Sequence, residues 1–142
     1  QAHQAAGAIH PISVDYTDGE ALSAALAQAR AQRGPIALAV AWIHSTAPEA
    51  PELVADFVRG RLVHLLGSAS ADPRGGDEPQ RERLRARQDL EYQEVVLGFV
   101  CERGRSRWLT DDEICRGVLR AIGAVEPEPV VVGQVEPWSA RP

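Results

Sequence analysis

"GPIALAVAWIHSTAPEAP", Gly34 to Pro51, is the stretch on which the fold turns. Its centre, Ile36–Ile43, is an uncharged apolar run bounded by Gly-Pro before and by His-Ser-Thr and prolines after. Such a run reads as a strand covered on both faces, the kind found in parallel sheets. It ends by placing Trp42, His44, Ser45 and Thr46 together. At the carboxyl edge of an open α/β sheet, that is where ligands are taken up.

The flanking sequence extends the pattern. "TDGE" offers a helix start, with Thr17 or Asp18 as cap and Glu20 reaching back to free amides. The helix, Glu20 to Arg33, has a narrow apolar face of Ala21, Leu22, Ala25, Leu26 and Ala29, and Gly34-Pro35 stops it. "IHPISVDYTD" before it reads as a short strand, Ile9–Val14. After the central run, "APELVADFVRG" predicts a helix with Leu53, Val54, Phe57 and Val58 inward, and "RLVHLLGS" a buried strand at 61–67. Residues 71–90 change character to glycine, proline and charge. They read as a charged loop and a solvated helix, 78–90, whose arginines, interspersed with acids, form a solvated face.

"YQEVVLGFVCE" predicts a strand at 93–101 and "RGRSR" a turn. In "LTDDEICRGVLRAIG", Thr110 caps a helix and Glu113 completes a capping box. Ile114, Val118, Leu119 and Ile122 form its face, with Cys115 inward. A last strand is expected at 129–136. Alternating strands and helices imply one α/β domain over residues 1–142, with about five mostly parallel strands joined by right-handed crossovers.

Composition narrows the chemistry. The chain has 142 residues, 44% apolar and 25% charged, with a net charge of -5. That balance argues against a general nucleic-acid binder, and no run is long enough to span a bilayer. No signal-peptide pattern opens the sequence, and two cysteines, Cys101 and Cys115, read as reduced thiols of a cytoplasmic protein. Methionine is absent even at position 1, which reads as a fragment or trimmed product. Lysine is absent too: all fifteen basic residues are arginine. This excludes every mechanism that needs a lysine of this chain. His44 and His64 lack a third ligand for a metal and read as structural. A Ser68–His44–Asp triad lacks the Gly-x-Ser-x-Gly elbow.

The order "SVDYTD", helix, "GPIALAVAWIHSTAP", "VHLLGSASADP", "VVLGFV" resembles the central and C-terminal parts of a short-chain dehydrogenase/reductase, in a divergent bacterial branch. The resemblance implies an incomplete Rossmann-like sheet with NAD(P) as the possible cofactor. It matches Asp15 to the family's adenine-binding aspartate, although aspartate also opens turns unaided. It sets Trp42, His44 and Ser45, with Tyr16 nearby, on the cofactor side, where the family has Asn-Asn-Ala-Gly. Ser68 matches the substrate-binding serine. The family's tyrosine and its lysine four residues on are not matched: Val96 stands four residues after Tyr92. No glycine-rich cradle precedes a helix, so the first strand–helix–strand is expected to be missing.

The leading expectation is therefore a degenerate or truncated domain without reductase activity of its own, a nucleotide-binding relic or interaction module. Ser68 and His44 are the candidates for any surviving catalysis. One alternative is an NAD(P)-dependent oxidoreductase whose cofactor-binding unit is absent from this chain; another is a structural or oligomerisation domain. The expected partner is a second copy, paired through Thr110–Trp138, or the missing N-terminal segment. No nucleic acid, membrane or metal is expected.

Overall fold

The computed structural model describes residues 7–72 and 77–142; Pro73 to Gly76 of the expected charged loop lie outside them. The elements are α1 (Gly19–Arg33), β1 (Ile36–Trp42), α2 (Ala50–Phe57), β2 (Val58–Gly67), α3 (Glu78–Arg85), β3 (Glu91–Leu97), β4 (Phe99–Glu102), β5 (Arg105–Trp108), α4 (Asp111–Gly123) and β6 (Val130–Val132). A 3-10 turn, Ser68–Ala71, follows β2.

Four strands form one parallel sheet in the order β1-β2-β3-β6, while β4 and β5 form a separate antiparallel hairpin. The fold class is thus as expected, an α/β layer on a mostly parallel sheet, with four strands instead of five. Ile9–Val14 joins no ladder, so the expected first strand is not formed. The expected strand at 93–101 is two: Gly98 interrupts it, because a Cβ there would lie 2.1 Å from the Gln134 carbonyl oxygen. "RGRSR" is only partly a turn, since Arg105 already opens β5.

The helices lie on both faces. Ala55 of α2 and Leu84 of α3 pack with Leu62 and Tyr92, on one face of the sheet. Ala121 of α4, with Ile114, Val118 and Ile122, packs on Val63, Leu65, Val95 and Leu97, on the other. Every connection steps the sheet in the same direction. The β3-to-β6 connection therefore has the opposite hand from the first two, and the expectation of uniformly right-handed crossovers is corrected.

This arrangement leaves β1 at an edge. Leu38, Val40 and Trp42 are 43%, 46% and 52% exposed, so the run expected to be covered on both faces is covered on one. Two other burial expectations also change. Cys115 and Leu119 are exposed on the outer flank of α4, and Val58 is fully buried at the start of β2, not on the helix before it.

Polar side chains fix the helix ends. Asp18 caps α1, accepting from the amides of Glu20 and Ala21. Thr110 and Glu113 form the expected capping box, and Arg107 of the hairpin binds both oxygens of Glu113 at 2.9 and 3.0 Å. At the other end of α4, Arg61 donates to the carbonyls of Ala121, Ala124 and Val125 and to Glu91. The guanidinium thus sits at the negative end of the helix dipole, on carbonyls of its last turn, its cap and the residue after it.

The register shifts between Ile36↔Val58 and Leu38↔Arg61, so that three steps along β2 match two along β1. Gly60 lies in this irregularity, where a Cβ would come within 2.2 Å of the Ala37 carbonyl oxygen. Backbone cannot yield there. Gly60→Ala is expected to cost about 1–3 kcal/mol, read as a lower urea midpoint. Gly67→Ala, whose methyl would meet nothing, should stay within ~0.5 kcal/mol of the parent.

Candidate functional site

Two loops meet at the carboxyl edge of the sheet. Tyr16 packs with Val14, Leu26, Ile43, Leu53 and Val54 around buried Leu22, Ala47 and Ala50. This apolar contact brings the Asp15–Asp18 turn against the loop that leaves β1. Asp15, Tyr16 and Trp42–Ser45 thus share one end of the molecule. Ser68 opens the turn that ends β2, three residues beyond Leu65, the register partner of Trp42.

Local bonding sets what each residue offers. The Asp15 carboxylate accepts from the Thr17 amide at 2.9 Å and its hydroxyl at 2.6 Å, which holds its pKa below the usual range. It stabilises its own turn. Trp42 is half-exposed, and its ring lies 6.1 Å from that of His44, tilted by 43°. Ser45 is exposed and Ser68 buried. The edge presents an aromatic platform and hydroxyls.

His64 belongs to the core. It is 3% exposed, and its Nδ1 lies 2.8 Å from the Tyr92 hydroxyl. Burial pulls its pKa down to about 4 against the opposing pull of Glu94. Burial also pushes the Tyr92 phenol well above its ordinary value. Both side chains are neutral and bonded to each other. Tyr92 sits in strand β3, and Val96, four residues on along the same face, is buried as core. No general acid comes from this pair. Among the described residues no cluster of potential ligands could hold a metal ion.

The sequence reading missed one group. Glu94, 4% exposed, takes two bonds from Arg81, Nε–Oε1 at 3.0 Å and Nη2–Oε2 at 2.7 Å, and one from Arg85 at 2.6 Å. Arg81 also donates to the Ser70 carbonyl at 2.9 Å, and the Ser70 hydroxyl bonds Asp77 at 2.6 Å. Burial alone would raise the Glu94 pKa; the hydrogen bonds and charge of Arg81, with Arg85, bring it below the usual range. Arg81 is therefore not part of a solvated face, as its sequence context suggested. The signal was a lone carboxylate inside the apolar run "YQEVVLGF", which can be buried only against a cation.

Two clefts formed by the described residues lie elsewhere. One of about 520 Å³ is lined by His10–Ile12, the end of α1 and Gly34–Ile36, at the opposite end of β1. One of about 310 Å³ lies between α4, β6 and the hairpin.

No family model matches the chain, and no curated protein matches it. Solved structures do. A short-chain dehydrogenase/reductase from Serratia marcescens shares 15% identity with a TM-score of 0.64, over 92% of this chain and 78% of that one. A gluconate 5-dehydrogenase from Burkholderia cenocepacia, in complex with NADP and tartrate, shares 15% with a TM-score of 0.60, over 84% and 71%. An alcohol dehydrogenase from Thermococcus sibiricus, complexed with 5-hydroxy-NADP, shares 16% with a TM-score of 0.51, over 83% and 71%. The fold is that of a short-chain dehydrogenase/reductase. At such identities the likeness shows the fold alone.

A dinucleotide needs a cradle of backbone amides at a helix N-terminus, with glycines for close approach. After β1, α2 begins with Pro51 and Glu52 in its first turn; after β2 comes a 3-10 turn. Neither supplies that cradle, so the described residues do not fit the whole cofactor.

The buried histidine gives a pH test. His64 binds its proton less well in the folded chain, at about 4, than at the ordinary value of 6.5. Between these values the unfolded chain takes up the proton first, so stability falls as pH drops, reaching a cost of about 3 kcal/mol below the window. Urea midpoints should fall from about pH 7 to about pH 4.5, and His64→Gln should flatten that slope.

Proposed function

We propose that this chain is a degenerate short-chain dehydrogenase-like module that carries out no carbonyl reduction alone and works by binding. One observation carries the reading. The tyrosine nearest the family's motif, Tyr92, is buried in a strand against His64, with no lysine anywhere in the chain to tune it. Carbonyl reduction needs an acid that can reach the carbonyl as hydride arrives. At the Trp42–Ser45 edge His44 is the side chain that could donate a proton, and no lysine stands beside it.

Any nucleotide contact is confined to Asp15, Tyr16, Trp42, His44, Ser45 and Ser68, and is weak for want of a pyrophosphate cradle. The rival reading, an NAD(P)-dependent oxidoreductase completed by another segment, has the NADP complexes of the fold's neighbours in its favour. It would also require that segment to bring an acid. For localisation, among the described residues no helix is long and apolar enough to cross a membrane, and we propose a cytoplasmic protein.

The purified chain is expected to oxidise neither NADH nor NADPH with a panel of small aldehydes and ketones; measurable turnover would refute the reading. In an NMR titration with NAD(P), the shifts should gather at Asp15–Tyr16, Trp42–Ser45 and Ser68. Shifts confined to residues 71–90 would refute the assignment of the edge.

A further inference from the structure

Of the eight residues of α3 only Arg81 and Leu84 are buried, so its seat on the sheet rests on one ion-pair network and one apolar side chain. Its ties to α2 and to the loop before α2, Arg83 to Glu52 and Gln80 to the Pro48 carbonyl, are exposed. Eight residues are too few to hold a helix alone in water. Such an element can open while the rest of the fold stays closed.

Beneath it lies a titratable group. His64 stands opposite Glu94 in the β2–β3 register, and its Nδ1 is 2.8 Å from the hydroxyl of Tyr92, two residues before Glu94 on the same face. All three are buried, and Arg81 and Arg85 close over Glu94 from α3. The other charges of this cluster are Glu78, bonded to Arg81 and Arg85, and Asp77, beside Arg81. β1 sets Ala41 opposite His64, and α2 adds Val54 and Ala55 to this side of the core. The acids of α2, Glu52 and Asp56, are taken up by Arg83 and Arg87.

A neutral His64 can accept the Tyr92 hydroxyl at Nδ1, whereas an imidazolium can only donate there. On proton uptake the hydroxyl must turn to another acceptor, and Glu94 is within its reach. Glu94 then meets a new donor and a new cation from the sheet side, in competition with the two guanidinium groups. The same imidazolium repels Arg81. Both effects loosen the bonds that hold α3.

We propose that α3 is an acid-released strap: a proton taken up by His64 frees Arg81 and Arg85 from Glu94, and α3 lifts while the sheet and α4 stay folded. The turn Ser68–Ala71 is released with it, since Arg81 holds the Ser70 carbonyl and Asp77 the Ser70 hydroxyl. The device stands on packing, whatever the carboxyl edge binds. Its direction follows from linkage. Open, His64 has its ordinary pKa of 6.5; closed, burial holds it at about 4, so the open form takes the proton first and gains as pH falls. From about pH 7 to about pH 5 this raises the opening constant about 20-fold.

The test is native-state hydrogen exchange on the full chain at both pH values, corrected for intrinsic rates. The amides of Arg81 and Ala86, bonded to the Asp77 and Glu82 carbonyls, should open more readily than those of α4 at each pH. Their opening should grow about 20-fold at the lower one. The Asp72 amide, bonded to the Ala69 carbonyl in the turn, should follow them. His64→Gln should remove this dependence on pH. Opening of α3 in step with α4, opening indifferent to pH, or a pH slope that survives in folded His64→Gln would overturn the strap. If His64→Gln does not fold, the comparison of α3 with α4 in the parent chain decides.

Discussion

A carboxylate cannot be buried in a strand without a cation brought to it, and Glu94 is such a carboxylate. It lies on β3, an inner strand of the sheet, with its two oxygens shared between Arg81 and Arg85. Because Arg81 and Arg85 are one helical turn apart, meeting Glu94 fixes both the position and the rotation of α3. The same guanidinium of Arg81 reaches the Ser70 carbonyl, so the turn after β2 is fixed from the same point. Removing one partner of a buried pair typically costs 3–5 kcal/mol, since the other is left buried and unmatched. The placement of α3, the closing of the β2 turn and the burial of Ser68 all hang on this network.

The same network shapes the neighbourhood of the candidate site. α3, eight residues tied to the sheet by Arg81 and Arg85, carries neither tyrosine nor lysine. Tyr92 lies in strand β3, where its hydroxyl pairs with His64. Both rings then serve packing: each gives the other a hydrogen-bond partner in a region that excludes water. The candidate edge, Trp42 with His44 and the exposed Ser45, comes from the end of β1 and the loop after it, away from the arginine network.

Much of the fold was legible because it rests on local signals. The capped start of α4, the Gly-Pro stop of α1 and the apolar runs of β1, β2 and β3 are written in contiguous residues, and the order of these elements sufficed for the fold. Misreadings came where a distant partner decides. Arg81 looks solvated until Glu94, thirteen residues on, is set against it. Gly98 looks like part of a strand until the Gln134 carbonyl occupies the place of its missing side chain. Ile9–Val14 has the composition of a strand, yet it finds no neighbour to pair with. For the candidate site, the clustering of Asp15, Tyr16 and Trp42–Ser45 was foreseeable from the topology. The engagement of Asp15 with Thr17 was the ordinary turn chemistry of aspartate.

The reversed hand of the last connection is what makes β1 distinctive. Had α4 followed the first two connections onto the same face, Val63, Leu65, Val95 and Leu97 would all have been bare. Crossing to the other face, it covers β2, β3 and β6, and its reach ends before β1. Gly117 sets how close it comes: a Cβ there would meet a methyl of Val132 at 2.2 Å, so the helix is seated toward β6. The gain in packing at that side is bought by exposure of Leu38, Val40 and Trp42 at the other. Among the described residues, then, the same strand carries both the outer rim of the sheet and the apolar row that α4 does not reach.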